Sequence, residues 1–210
     1  MEKILYRYSL PGEENERLTE SQSLIIIGAN GAGKSRLGAW IEKNKPERTH
    51  RIVAQRALEM LDIIPVDSFE NLQSKVIYGV DSKYGINHHD CKYDHSEENY
   101  TIKMVNDYNI VLSALIAKQR LEEEAFVKSC EYKEAQGETY NHVPLMIRKR
   151  LQNIWNLLLP HREIDIVDNK VVIKGQIDDE YDGRLMSDGE RVGLYLIAQS
   201  LCVPSDKTII

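Results

Sequence analysis

Residues 28–35 of this 210-residue chain read Gly28-Ala29-Asn30-Gly31-Ala32-Gly33-Lys34-Ser35 and fit the spacing G-x-x-x-x-G-K-[ST] at every fixed position. No other stretch constrains the fold as strongly, because each part of the pattern has a physical job. Glycines let the backbone bend until its N–H groups converge on phosphate oxygens. A helix beginning near Lys34 adds its positive dipole end. Lys34 can reach the β and γ phosphates of a nucleotide, and the Ser35 hydroxyl can ligate Mg²⁺. The flanks agree with that reading. Residues 24–27 (LIII) are an apolar run suited to a strand buried on both faces, as in a parallel sheet. Residues 34–42 read as a helix with Leu37, Trp40 and Ile41 on one side and Pro46 beyond its end.

The loop alone does not separate kinase, GTPase and ATPase. The discriminating stretch is residues 184–201, RLMSDGERVGLYLIAQSL. A Ser-x-Gly turn at the start of a helix makes a second anion site: Ser187 offers a hydroxyl and Gly189 permits close backbone approach. The same residues also make an ordinary helix cap.

Taken together, the two stretches resemble the ATP-binding-cassette (ABC)-like ATPases. GANGAGKS is similar to their G-x-N-G-x-G-K-S loop, and Leu185-Met186-Ser187-Asp188-Gly189-Glu190-Arg191 is similar to their L-S-G-G-E signature, with Asp188 where a glycine is commoner. More narrowly, GANGAGKSRLGAWIE, HRIVAQRAL, IWNLLLPHREI and MSDGERVGLYLIAQSL resemble the AAA-type ATPases of bacterial anti-phage systems. These include the AriA-like proteins of PARIS systems and the ATPase halves of overcoming-lysogenization-defect nucleases. The resemblance implies an α/β fold of the P-loop NTPase type: one domain over residues 1–210, with a parallel or mixed sheet and a helical insertion at about residues 100–160.

The resemblance also implies ATP and Mg²⁺ as cofactors. Gln55 takes the place of a glutamine that contacts Mg²⁺ and the attacking water; otherwise it is a polar residue at a strand end. Ser187, Gly189 and Glu190 would act in trans, on nucleotide held by the other protomer of an ATP-sandwiched homodimer. An effector, a nuclease above all, is the implied partner. In such ATPases the signature helix leads to a strand ending in Asp-Glu, the Walker B pair. Here the residues KTII begin that strand and the chain closes at Ile210. The expectation is therefore a chain that binds ATP and hydrolyses it poorly, with a non-hydrolysing assembly subunit or a transporter ATPase subunit as the alternatives.

Elsewhere the pattern gives a strand over residues 3–8, a turn at Pro11-Gly12, a strand over 51–54, an amphipathic helix over 106–135 and a second over 144–159 opened by Pro144. A hairpin follows, 163–167 and 171–174, over Asp168-Asn169-Lys170. A helix then runs from Asp188 through Leu201, and an apolar strand starts at residue 207. Tyr6 or Tyr8 offers a stacking surface for adenine or simply packs. His88, His89, Cys91 and His95 are competent Zn²⁺ ligands in a non-standard spacing, or members of a polar loop. Arg148-Lys149-Arg150 could meet a nucleic-acid backbone or form a solvated helix face. The acidic stretch 178–182 reads as a solvent-facing loop.

Composition sets outer limits. With 27 Lys+Arg against 33 Asp+Glu the net charge is −6, which argues against a protein coated in nucleic acid. No apolar run approaches the ~18 residues of a membrane span, and residues 1–16 lack the apolar region of a signal peptide. Cys91, Cys130 and Cys202 are odd in number and far apart, so the expected home is a reducing cytoplasm with no disulfide framework.

Overall fold

The structure is a computed structural model that describes residues 6–8, 17–19, 23, 25–54, 56–82, 92, 104–139, 142–175 and 180–210. The elements in chain order are β1 (Tyr6–Tyr8), β2 (Arg17–Thr19), α1 (Lys34–Asn44), β3 (Thr49–His50), α2 (Phe69–Tyr78), α3 (Tyr108–Ala135), α4 (Ile147–Leu158), β4 (Glu163–Val167), β5 (Lys170–Lys174), β6 (Glu180–Asp182), α5 (Asp188–Cys202) and β7 (Thr208–Ile209). The strands form three small sheets: β1 antiparallel to β2, β3 parallel to β7, and the antiparallel meander β4-β5-β6.

The hydrophobic core is mainly helical. The first half of α3 supplies its centre, with Tyr108, Val111, Leu112 and Leu115 all buried. It packs on α2 and α5, while α4 lies against α5 and β4. Trp155 on α4, Ile164 and Ile173 on the hairpin and Leu194 on α5 close the same cluster. The second half of α3 is largely exposed and charged, stitched by pairs such as Lys128 to Glu124 (2.6 Å). The segment expected as an insertion therefore contributes its first half to the body of the molecule.

Local chemistry explains the ends of several elements. The turn Asp168-Asn169 joins β4 to β5 with both residues left-handed (φ 50° and 63°), a geometry whose twist matches that of the strands. Ser68 caps α2 by accepting the Asn71 amide, and Gly79 closes it at φ 74°. Helix α4 begins at Ile147 rather than at Pro144, because the Glu122 carboxylate on α3 accepts the Ile147 amide and serves as the cap from another element.

The described residues correct several expectations. Residues 25–27 form no strand, and Ile25 and Ile27 are 81% and 90% exposed instead of buried on both faces. A strand needs backbone partners, and among the described residues β1 is bonded to β2 and β3 to β7, with no strand alongside residues 25–27. The strand placed at 51–54 is β3, two residues earlier, since β7 offers only two residues to pair with; one further bond runs from the Ile52 amide to the Ile210 carbonyl (2.7 Å). Part of the acidic stretch 178–182 is β6, recruited as the third strand of the meander. Helix α2 was not anticipated from the sequence. The turn at Pro11-Gly12 lies outside the described residues.

Candidate functional site: two helix starts

The loop over residues 28–33 delivers the chain to α1 through two left-handed glycines, Gly31 (φ 83°) and Gly33 (φ 87°). A side chain at either position would meet open space but would be strained by the backbone itself. The Ala32 amide bonds the Ala29 carbonyl (3.1 Å) and tightens the turn. Gly33 is the residue before α1, and among the described residues no side chain caps this helix. The first turn contains no acidic residue. Among the described residues no side chain accepts the opening amides of α1, which carry the partial positive charge of the helix start.

Lys34 lies across this loop. Its ammonium donates to the carbonyls of Gly28 (2.7 Å) and Ala29 (2.9 Å). Lys34 and Ser35 are both exposed. Gly28, Ala29, Asn30, Gly31 and Ala32 are exposed as well. Helix α1 is anchored at its far end, where buried Glu42 accepts from Arg51 Nε at 2.7 Å. Burial raises the Glu42 pKa above the usual carboxylate range, with Arg51 opposing.

The second helix start is arranged differently. Ser187 caps α5 in a reciprocal box: the Glu190 amide donates to Ser187 Oγ (3.4 Å) and the Ser187 amide donates to Glu190 Oε2 (2.7 Å). The Ser187 hydroxyl also reaches Glu190 Oε2 (2.8 Å), and Tyr181 donates to Oε1 (3.0 Å). Arg162 lies 3.3 Å from the same carboxylate. Burial pushes the Glu190 pKa up, but the Ser187 and Tyr181 hydrogen bonds and the Arg162 charge outweigh it and hold it below the ordinary range. Glu190 is therefore ionised at neutral pH. Of the expected signature residues, Ser187 and Glu190 are engaged with each other, while Gly189 is exposed with open space around it.

Behind this cap, α5 is fixed by a buried polar chain that the sequence reading did not find. His50 Nε2 meets Gln199 Oε1 at 2.8 Å; Gln199 Nε2 donates to the Tyr195 hydroxyl (2.8 Å) and to Asp107 (3.3 Å). Tyr195 in turn donates to Asp107 (2.9 Å), which also pairs with Lys92. Since Gln199 Oε1 can only accept, His50 holds its proton on Nε2. Burial lowers the His50 pKa to about 4, against a smaller opposing effect of Gln199. The signal available in sequence was Tyr195 and Gln199 one helical turn apart on an otherwise apolar helix face.

Other expected residues are placed as follows. Gln55, His88, His89, Cys91 and His95 lie outside the described residues, as do the side chains of Tyr6 and Tyr8. Among the described residues no group of His, Cys, Asp and Glu could hold a metal ion. Arg148 forks onto Asp165 (3.0 and 2.6 Å) and Arg150 pairs with Glu122 (2.6 Å), so two members of the basic triplet serve internal ion pairs. Among the described residues no helix is long and apolar enough to cross a membrane. Compared with protein-family models, curated proteins and solved structures, the chain matches none.

Proposed function

We propose that this chain is the nucleotide-binding domain of an ABC-like ATPase. It would bind Mg-ATP on Gly28–Ser35 in the cytoplasm and pair with a second copy across the nucleotide to control an effector such as a nuclease. The observation that carries the proposal is the start of α1: a loop turned by two left-handed glycines, no capping side chain, no carboxylate in the first turn, and a lysine lying over the loop. Anions are favoured at such a helix start, and Lys34 would exchange two carbonyl contacts for charged phosphate oxygens. Ser35, exposed in the first turn, suits a Mg²⁺ ligand, with Gln55 as its partner from the family resemblance. The resemblance, not the geometry, supports the effector and the role in phage defence.

Titration of Mg-ATP into the wild-type chain and into Lys34→Ala tests the reading. A charge-assisted contact is worth roughly 1.5–3 kcal/mol, so the variant should bind about ten- to a hundred-fold more weakly. Equal affinities would sink the assignment. A second reading, binding without turnover, is favoured by the engagement of Ser187 and Glu190 in the cap. Phosphate release dependent on Lys34 would count against it.

A further inference from the structure

Helix α1 is joined to the rest of the molecule by a charged contact. Its inner face carries Gly38, Ala39 and Glu42, of which Ala39 and Glu42 are buried. Leu37, Trp40 and Ile41 are half-buried. Gly38 lies against the stem of Arg51 and against Ile210, whose side chains an added Cβ would meet at 3.8 and 4.0 Å. Glycine and alanine bury little apolar surface, so this face gains little from the hydrophobic effect. The specific attachment is the Glu42 carboxylate, which accepts from Arg51 Nε at 2.7 Å with both side chains almost fully enclosed.

Arg51 stands in a segment that is fastened to the fold by other means. It follows β3, which pairs with β7, and the next amide, of Ile52, donates to the Ile210 carbonyl (2.7 Å). His50 meets Gln199 on α5, and Lys207 donates to the carbonyls of Pro46 (3.3 Å) and Glu47 (2.9 Å) between α1 and β3. Two charges in contact inside a protein have both lost hydration, and that loss can exceed the attraction gained. Burial raises the Glu42 pKa although Arg51 opposes it, so lost hydration is the larger influence on this carboxylate. When such a contact opens, water solvates both charges again. A face joined by apolar packing regains nothing comparable on opening and holds more firmly. The core around α3 and α5, with Leu112, Leu115, Leu194 and Ala198 buried, is joined in that second way.

We infer that the Glu42–Arg51 pair is a latch on which α1 and the loop before it open and close as one unit while the core around α3 and α5 stays folded. The loop over residues 28–33 runs directly into α1 and moves with it. The latch does not depend on what the loop binds.

The test is backbone hydrogen exchange in the full chain, followed residue by residue at low urea. Residues 38–44 of α1 should exchange about tenfold or more faster than residues 194–202 of α5, through an opening that urea hardly changes. Arg51→Met removes the guanidinium that faces Glu42 and should speed exchange in α1 about tenfold further, with α5 unchanged. Glu42→Leu combined with Arg51→Met replaces the charges by an apolar contact, and exchange in α1 should return to the wild-type rate or become slower. Equal rates in the two helices of the wild type would show that α1 opens only with the whole fold, and would overturn the latch. So would an Arg51→Met chain that leaves α1 exchange as it was, speeds both helices alike or fails to fold. A double variant as labile in α1 as the single one would overturn it too.

Discussion

The start of α1 and the start of α5 are both helix N-termini following glycine- or serine-bearing turns, yet they are built in opposite ways. Helix α1 is uncapped, has no first-turn acid, and buries only Ala39 and Glu42. Helix α5 has a full capping box, carries Asp188 and Glu190 in its first turn, and buries Leu194, Tyr195, Ile197, Ala198, Gln199 and Cys202. The first has no side-chain partner for its opening donors among the described residues. The second caps its own start and is rooted in the core. A helix start meant for a ligand must leave groups unsatisfied and so contributes little to stability; one that holds the fold together must not. On the function proposed above, the two tasks fall on different helices.

The largest expected effect tests the roots. Leu194 is fully buried, whereas Leu37 on α1 is half-buried. Leu194→Ala should cost about 2–5 kcal/mol in urea unfolding, and Leu37→Ala about 1 kcal/mol or less. Similar costs at the two sites would mean that α1 is as deeply anchored as α5.

The next effect comes from pH. His50, the strand end of the polar chain that holds α5, has its folded pKa lowered to about 4 by burial, against about 6.5 in an unfolded chain. Between those values the unfolded chain binds a proton that the folded chain does not. Stability should therefore fall as pH drops through that window, by roughly 3 kcal/mol in all. His50→Gln, which keeps a donor for Gln199 Oε1, should flatten this slope in denaturation curves taken from pH 7 to pH 4. An unchanged slope would place the acid sensitivity elsewhere.

These contrasts bear on what could be read from the sequence. The hairpin turn, α3 and α5 were visible because each is fixed locally: by turn chemistry at Asp168-Asn169 or by long apolar periodicity. The glycines of the loop were visible for the same reason, since a left-handed φ is a local demand met at Gly31 and Gly33. Residues 25–27 misled because an apolar run specifies burial only when other strands arrive beside it, and that is a property of the whole chain. The polar chain from His50 to Asp107 joins residues up to 149 positions apart, so no local pattern could reveal it. Ser187 was ambiguous between an anion site and a cap. The geometry shows the cap, formed by the Glu190 that the signature motif also contains.

A smaller effect addresses that cap. Ser187→Ala removes the acceptor for the Glu190 amide and one of the contacts that hold the Glu190 carboxylate. It should cost about 1 kcal/mol in unfolding free energy. It should also raise the Glu190 pKa, because the hydroxyl is among the groups holding it low. The stabilisation that Glu190 provides as a carboxylate is present above its unfolded pKa and lost as pH falls through the folded value, so Ser187→Ala should weaken the chain's loss of stability in acid. No change in the acid limb would show that the box adds little beyond geometry.

The smallest effect expected on stability is also the one that separates the two helix starts most sharply. Lys34 is exposed, and its ammonium gives up hydration for two carbonyl contacts at the surface of the loop. Such contacts contribute little, because water replaces them readily, and Lys34→Ala should shift unfolding free energy by no more than about 0.5 kcal/mol. The same substitution is expected to weaken Mg-ATP binding by about ten- to a hundred-fold. At Ser187 no such separation is available, since any change there disturbs the cap as well as the phosphate contact that the family resemblance implies. Measuring urea unfolding and ATP titration on the same Lys34→Ala preparation decides the matter. A loss of affinity accompanied by a stability loss above about 1 kcal/mol would mean that Lys34 acts through the loop's fold. A loss of affinity at constant stability would leave direct contact with the phosphates as its role.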